Sequence, residues 1–293
     1  MSDTSDEFKL PVKAALADIY RFLWRARRDL VMMAAIPVVA LTLYRVVAID
    51  IFGISDPALP QVAGEKTTLW DVIVLYLPSL LLYTMFAVAW HRRYLVRGEA
   101  STVWSALRWD MRKTKFMLRS VLITAIAGAV IAVPVVILTI FAVVINFAAA
   151  APAAGDVSPP ASVETLSSAV GVAALILFML VYLRLTLWLP ATATDSPFSM
   201  LESFRLGRDN SWRLLIITCG SEIGIWVLMA GLQIATASLP HGSLTVDLLV
   251  GLAQNTLAYA ALAAGITALS VCYDRLLARI ASDPLYNQGG MPY

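Results

Sequence analysis

Residues 169–190 read AVGVAALILFMLVYLRLTLWLP, 22 residues with a single ionisable side chain, Arg184. At 1.5 Å per residue a helix of this length covers about 33 Å, close to the roughly 30 Å hydrocarbon thickness of a bilayer. A run this long and apolar reads as a membrane span. One arginine inside it costs on the order of 3 kcal/mol on insertion scales, so Arg184 needs a partner or a route to the membrane surface.

The rest of the chain repeats this pattern. Apolar runs occupy about 30–49, 69–90, 117–147, 166–189, 212–237 and 246–273 of the 293 residues, and 59% of the chain is hydrophobic. Only 14% is charged, against about 25% in soluble domains. The expected fold is all-α and polytopic: one membrane domain over residues 1–293, six transmembrane helices, and a short tail at 276–293. The opening, MSDTSDEFKLPVKAALADIYRF, is acidic and then amphipathic. It lacks the short apolar core and small-residue cleavage site of a removable signal peptide, so the first span is expected to be retained. Cys219 and Cys272 fall inside spans without a metal-ligand spacing and read as small buried apolar residues.

Charge sets the orientation. Of the 22 Lys and Arg residues, six precede the first span, eight lie between Arg92 and Arg119, three are Arg205, Arg208 and Arg213, and two follow the last span. All of these fall on one side. The opposite loops hold only Lys66, with Arg45 and Arg184 inside spans. By the positive-inside rule both termini are expected in the cytoplasm of a bacterial cell, with the spans in its inner membrane.

The cytoplasmic ends of the even-numbered spans read Trp90-His91-Arg92, Tyr182-Leu183-Arg184 and Tyr273-Asp274-Arg275. Three hairpin units are expected, at about 12–92, 100–190 and 196–275, each introduced by a basic amphipathic helix on the cytoplasmic surface. In the first such helix Val12, Leu16, Ile19, Tyr20 and Leu23 share a face. In the second Val103, Trp104, Leu107 and Met111 do so beside Arg108, Arg112, Lys113 and Lys115, and the third opens at Ser196-Pro197. Arg25, Arg27, Arg28, Arg112 and Lys113 are candidate contacts for anionic lipid headgroups. The same charges also serve topology alone.

Other features of the spans concern shape and packing. The third span exceeds the bilayer and is expected to tilt or to bend at Pro134. Gln233, Gln254 and Asn255 are placed to hydrogen-bond between helices, and Gly220, Gly224 and Gly231 to let helices approach closely.

The stretch VYLRLTLWLPATATD followed by SMLESFRLGRDNSWRLLIIT resembles bacterial six-span inner-membrane proteins of the YciC-like type. It is also similar to the membrane domain attached to some glycerophosphodiester phosphodiesterases. The likeness rests on an Arg-containing span ending near Pro190-Ala191, a short amphipathic helix, and a span opening at Ser211-Trp212. It implies the six-span architecture. No activity is implied, because the catalytic domain of the phosphodiesterase members has no counterpart here.

Chemistry is sparse. The two histidines, His91 and His241, are far apart in the topology, and no nucleotide loop, nucleophile elbow or H-E-x-x-H motif occurs. No enzymatic activity, cofactor, metal or nucleic-acid partner is expected. Glu222 stands out: ten residues after Trp212 it falls roughly 15 Å into its span, near the bilayer centre. Helical side chains lean toward their own N-terminus, so Arg184 and Glu222 lean toward each other from antiparallel spans and form a candidate ion pair. The competing reading has Arg184 snorkelling to the rim like Arg92 and Arg275. The expected function is an accessory or scaffold role contacting lipids or other membrane subunits; the alternative is a small transporter or channel using Glu222.

The charge count predicts topology directly. With the native cysteines removed, single cysteines at Lys66, Asp156 and Gly242 are labelled from outside the cell, and one at Glu99 only after permeabilisation. Outside labelling at Glu99 contradicts the six-span arrangement.

Overall fold

Six helices of the computed structural model are long and apolar enough to cross a membrane: Arg27–Ile49, Leu69–Leu95, Met111–Phe141, Val170–Ala193, Ser211–Thr236 and Leu244–Ala278. The structure describes residues 9–54, 68–96, 98, 102–150, 161–239 and 243–282. No strand occurs among them. The acidic N-terminus, most of the loops that carry Lys66, Asp156 and His241, and the tail beyond residue 282 lie outside the described residues.

In chain order the helices are α1 (Val12–Arg25), α2 (Arg27–Val46, continued by a π-helical turn Val47–Ile51), α3 (Leu69–Leu95), α4 (Val103–Leu107) and α5 (Met111–Ala150). They continue with α6 (Ala161–Thr186), α7 (Trp188–Ala193), α8 (Met200–Arg208), α9 (Ser211–Thr236) and α10 (Leu244–Ser282). Helix α5 runs unbroken through Pro134.

Helix α10 is the hub, packing on α9, α2, α3 and α1. Its sequence explains this. Ala263, Ala264 and Ala268 are fully buried and Gly265 sits among them, so neighbouring backbones come close where dispersion, not hydrophobicity, drives association. In its most apolar stretch 61% of residues are buried, against 17–33% in the other five spans. Trp90 of α3 is the largest side chain closed off by this packing. Its ring stacks on Phe86 at 5.7 Å and meets Phe22 edge-on, while its Nε1 donates to Thr267 Oγ1 at 2.9 Å.

Local chemistry moves several boundaries. Helix α5 starts at Met111 instead of residue 117, because the Asp110 carboxylate accepts from Lys113 N at 2.9 Å and caps a new helix there. The second surface helix is therefore cut to Val103–Leu107, and Arg112, Lys113 and Lys115 belong to the first two turns of a span. Helix α8 starts at Met200 instead of Ser196-Pro197. Ser199 and Glu202 form a capping box, with Glu202 Oε2 accepting from Ser199 N at 2.6 Å. The Ser196 N–H is already taken by Ala191 O at 2.9 Å.

Trp90→Ala removes an aromatic core residue and its buried hydrogen bond. It is expected to cost about 3–5 kcal/mol, read as a lower midpoint of thermal unfolding in detergent; an unchanged midpoint contradicts the α3–α10 core.

Candidate functional site

The polar groups of the bundle fall into a cluster of arginines at one end, the carboxylate of Glu222, and a small cavity toward the opposite end. Arg184 belongs to the first. Its Nε donates to Ser211 Oγ at 2.5 Å, and its guanidinium lies 5.3 Å from the Phe204 ring centroid. Helix α8 lies flush on it. A Cβ at Gly207 would stand 3.0 Å from Arg184 Cγ, and Ser203 Oγ donates to Arg184 O at 2.6 Å.

The structure does not bring Arg184 and Glu222 together. Ser211, the partner Arg184 takes, is eleven residues before Glu222, about 16 Å along α9. Glu222 instead accepts from Trp226 Nε1 at 3.0 Å on its own helix, beside an exposed Trp226. Its Oε1 fills the space where a Cβ on Gly265 would stand. Five residues along α10 from Gly265, Ser270 Oγ bonds His91 Nδ1 at 2.7 Å, next to Arg92. That register puts Glu222 about 8 Å along the bundle from the level of His91. The reason is that the first turns of α9 lie against α1: Leu214 and Ile217 are buried with Leu10 and Ile19.

Arg92 and Arg275 are fixed in the same way as Arg184. Arg92 Nη1 donates to Ala193 O at 3.1 Å, and Arg275 Nη2 to Asp18 Oδ2 at 2.5 Å. The three arginines thus link α3 to α7, α6 to α9, and α10 to α1. Arg213 adds a bond to Leu10 O at 2.6 Å, while Leu10 N donates to Asn210 Oδ1 at 2.7 Å.

The end of α7 gathers most of this charge. Arg119 donates to Thr192 Oγ1 at 2.7 Å and lies over Trp188, and Arg112 donates through Nε to Asp195 Oδ2 at 2.8 Å. Asp195 has φ +55° and closes α7 with Asp195 N–Thr192 O and Ser196 N–Ala191 O bonds, a Schellman closure whose left-handed position usually holds glycine. An L-residue there costs roughly 1–2 kcal/mol, and the bond from Arg112 accounts for an aspartate in that place. That same hydrogen bond holds the Asp195 carboxyl below the usual carboxylate range.

The five candidate headgroup contacts separate. Arg25, Arg27 and Arg28 are exposed at the α1–α2 corner, where Arg27 lies 4.7 Å over the Trp24 ring. Arg112 is directed to Asp195. Lys113 is only 2% exposed, and its Nζ donates to Ala106 O at 2.7 Å and to Arg108 O. It closes the C-terminal end of α4 and does not face lipid, because the chain reversal at residues 108–110 folds α4 over it.

Among the other polar expectations, Asn255 Nδ2 donates to Thr42 Oγ1 at 3.0 Å, joining α10 to α2. Gly220 does permit close approach, but of Leu16 in α1, whereas Gly224 and Gly231 face open space. Among the described residues no group of three His, Cys, Asp or Glu side chains can hold a metal.

At the end of the bundle away from the clustered arginines, α2, α3 and α10 line a cavity of about 180 Å³ formed by Tyr44, Arg45, Tyr76, Ser79, Tyr83 and Asn255 with two leucines. Arg45 had the same signal in sequence as Arg184, an ionisable group in an apolar run, but the walls around it come from distant parts of the chain.

No protein-family model, no curated protein and no solved structure matches the chain.

Two outcomes follow. In a double-mutant cycle on thermal unfolding, Arg184→Met and Glu222→Leu add within about 0.5 kcal/mol, whereas Arg184→Met and Ser211→Ala are coupled; coupling in the first pair and additivity in the second contradicts the register. Asp195, with its folded pKa depressed, contributes stability that is present above its unfolded value near 3.9 and lost as pH falls through the folded value. The unfolding midpoint of the wild type should therefore converge on that of Asp195→Asn below about pH 4; a constant gap down to pH 2 contradicts the Arg112 bond.

Proposed function

We propose that this multi-pass membrane protein is a non-enzymatic accessory or scaffold of a bacterial inner membrane, with both termini cytoplasmic, gathering anionic lipid at its cytoplasmic face and through it contacting other membrane subunits. The observation that carries the reading is the sorting of the arginines. Arg92, Arg112, Arg119, Arg184, Arg213 and Arg275 bond protein groups. Arg25, Arg27 and Arg28 are exposed beside Trp24, which is 70% exposed and whose carbonyl accepts from Arg27 Nη1 at 2.8 Å, at the inner end of the first span; Lys115 and Arg205 are exposed as well.

A tryptophan and a cluster of cations at one level form an interfacial anchor: the ring suits the headgroup zone, and each cation adds about 1 kcal/mol near an anionic surface. Three such charges supply roughly a hundredfold preference for anionic over neutral lipid. The competing reading is a small transporter or channel using Glu222. Its favour lies in the missing Arg184 partner; against it stands the position of Glu222 at the edge of the bundle, next to exposed Trp226, Val227 and Ile223.

Replacing Arg25, Arg27 and Arg28 together with Gln should reduce co-purifying anionic lipid, measured by lipid mass spectrometry, without lowering the unfolding midpoint. Lys113→Met should lower the midpoint and leave those lipids in place. Unchanged lipid content in the triple variant refutes the cytoplasmic-face reading, and Glu222-dependent solute flux in liposomes would replace it with the transporter.

A further inference from the structure

Helix α9 is the least covered of the six spans. Only 17% of its most apolar stretch is buried, against 61% in α10. Trp212, Ile216, Cys219, Ile223, Trp226 and Ala230 are all exposed, and they recur at alternating intervals of four and three residues. That interval is the seam of a left-handed helix pair, in which side chains every 3.5 residues stay against one partner. The seam is bordered on one side by Gly220, where Leu16 of α1 is seated, and on the other by Glu222, whose carboxylate lies over Gly265 of α10.

Glu222 supplies the charge of this face. It lies ten residues beyond Trp212, about 15 Å along a helix that runs through hydrocarbon. Its Oε2 accepts from Trp226 Nε1 at 3.0 Å, and no cation among the described residues pairs with it. Lys66, Arg97 and Arg279, whose side chains are not described, fall outside the six spans in sequence. An ionisable group at this depth ordinarily has a partner. In the seam register Glu222 holds the flanking position that, in paired helices, meets a charged residue of the neighbour and selects it.

We propose that this face of α9 docks a transmembrane helix of another membrane protein, one that carries a single Lys or Arg at the depth of Glu222. Charge complementarity names the occupant. A second copy of α9 brings no such cation: Arg213, the one basic residue of that helix, sits nine residues before Glu222 and donates to Leu10 O at 2.6 Å. A lipid amine stays with the headgroups near Trp212, about 15 Å away. The exposed Trp226 ring beside the carboxylate adds a face that attracts a cation. The contact is direct, goes beyond the lipid-mediated one proposed above, and shares no residue with the exposed arginines.

The probe is a dye-labelled synthetic helix of about 20 Leu and Ala residues with one central Lys, and its control has Leu in that place. Binding to the full chain, which carries an acceptor dye at its C-terminus, is measured by energy transfer in phosphatidylcholine liposomes. The Lys helix is expected to bind wild type about tenfold more tightly than Glu222→Gln, and the Leu helix to bind both alike. Cys219→Trp crowds the seam while keeping the carboxylate, and should give the same loss even if Glu222→Gln folds poorly. The Arg25/Arg27/Arg28 triple Gln variant should bind the Lys helix like wild type, so this contact and the lipid reading fail separately. Equal binding of the Lys helix to wild type and Glu222→Gln, or a loss in Glu222→Gln that Cys219→Trp does not share, overturns the proposal. Glu222-dependent self-association of the chain without the synthetic helix would put a second copy on this face and overturn it too.

Discussion

Hydrocarbon offers no hydrogen-bond partner, so every polar group taken into it must be satisfied by the protein or carried back to water. That constraint makes the chain helical, and it decides what happens to its arginines. At the end of the bundle where the cationic loops gather, arginine side chains are used as ties: Arg92 to Ala193, Arg184 to Ser211, Arg275 to Asp18. Each donates to a group on a segment distant in sequence. Three links of this kind close a circuit from α3 through α7 and the adjoining α6, then α9 and the adjoining α10, to α1.

The two ends of the bundle solve the constraint differently. At the end that holds the cationic loops, protein acceptors engage Arg92, Arg112, Lys113, Arg119, Arg184, Arg213 and Arg275, while Arg25 and Arg28 at the α1–α2 corner, Lys115 of α5 and Arg205 of α8 are exposed. At the opposite end, Arg45 lies beside hydroxyl and amide groups. Between them the core is tightly packed around Trp90 and the alanines of α10. Glu222 stays outside both, held by Trp226 at the edge of the bundle.

The six spans could be read directly because each is a long run of one solvent preference, and that property is local. Errors arose where a short polar contact competes with the apolar period: Asp110 caps α5 early, and the Ser199–Glu202 box displaces the start of α8. The Arg184–Glu222 pair failed for a different reason. Helical rise gives depth along each span but not the register between spans, which here is set by Gly207 seating α8 on Arg184 and by Leu10 and Ile19 occupying the foot of α9. The burial of Lys113 depends on a chain reversal, and the cavity at Arg45 on three helices separated by up to two hundred residues; neither leaves a periodic trace.

The arginine ties make a claim about cooperation between distant segments, and hydrogen–deuterium exchange in nanodiscs tests it most directly. Arg275→Gln should raise exchange in α1, 250 or more residues away in sequence, and Arg184→Gln should raise it in the first turns of α9, with each change confined to its own partner segment. Exchange in α1 and at the start of α9 that is the same in both variants as in the wild type would mean that these segments are held by apolar packing alone, and the account of this end of the bundle as a set of arginine ties would be wrong.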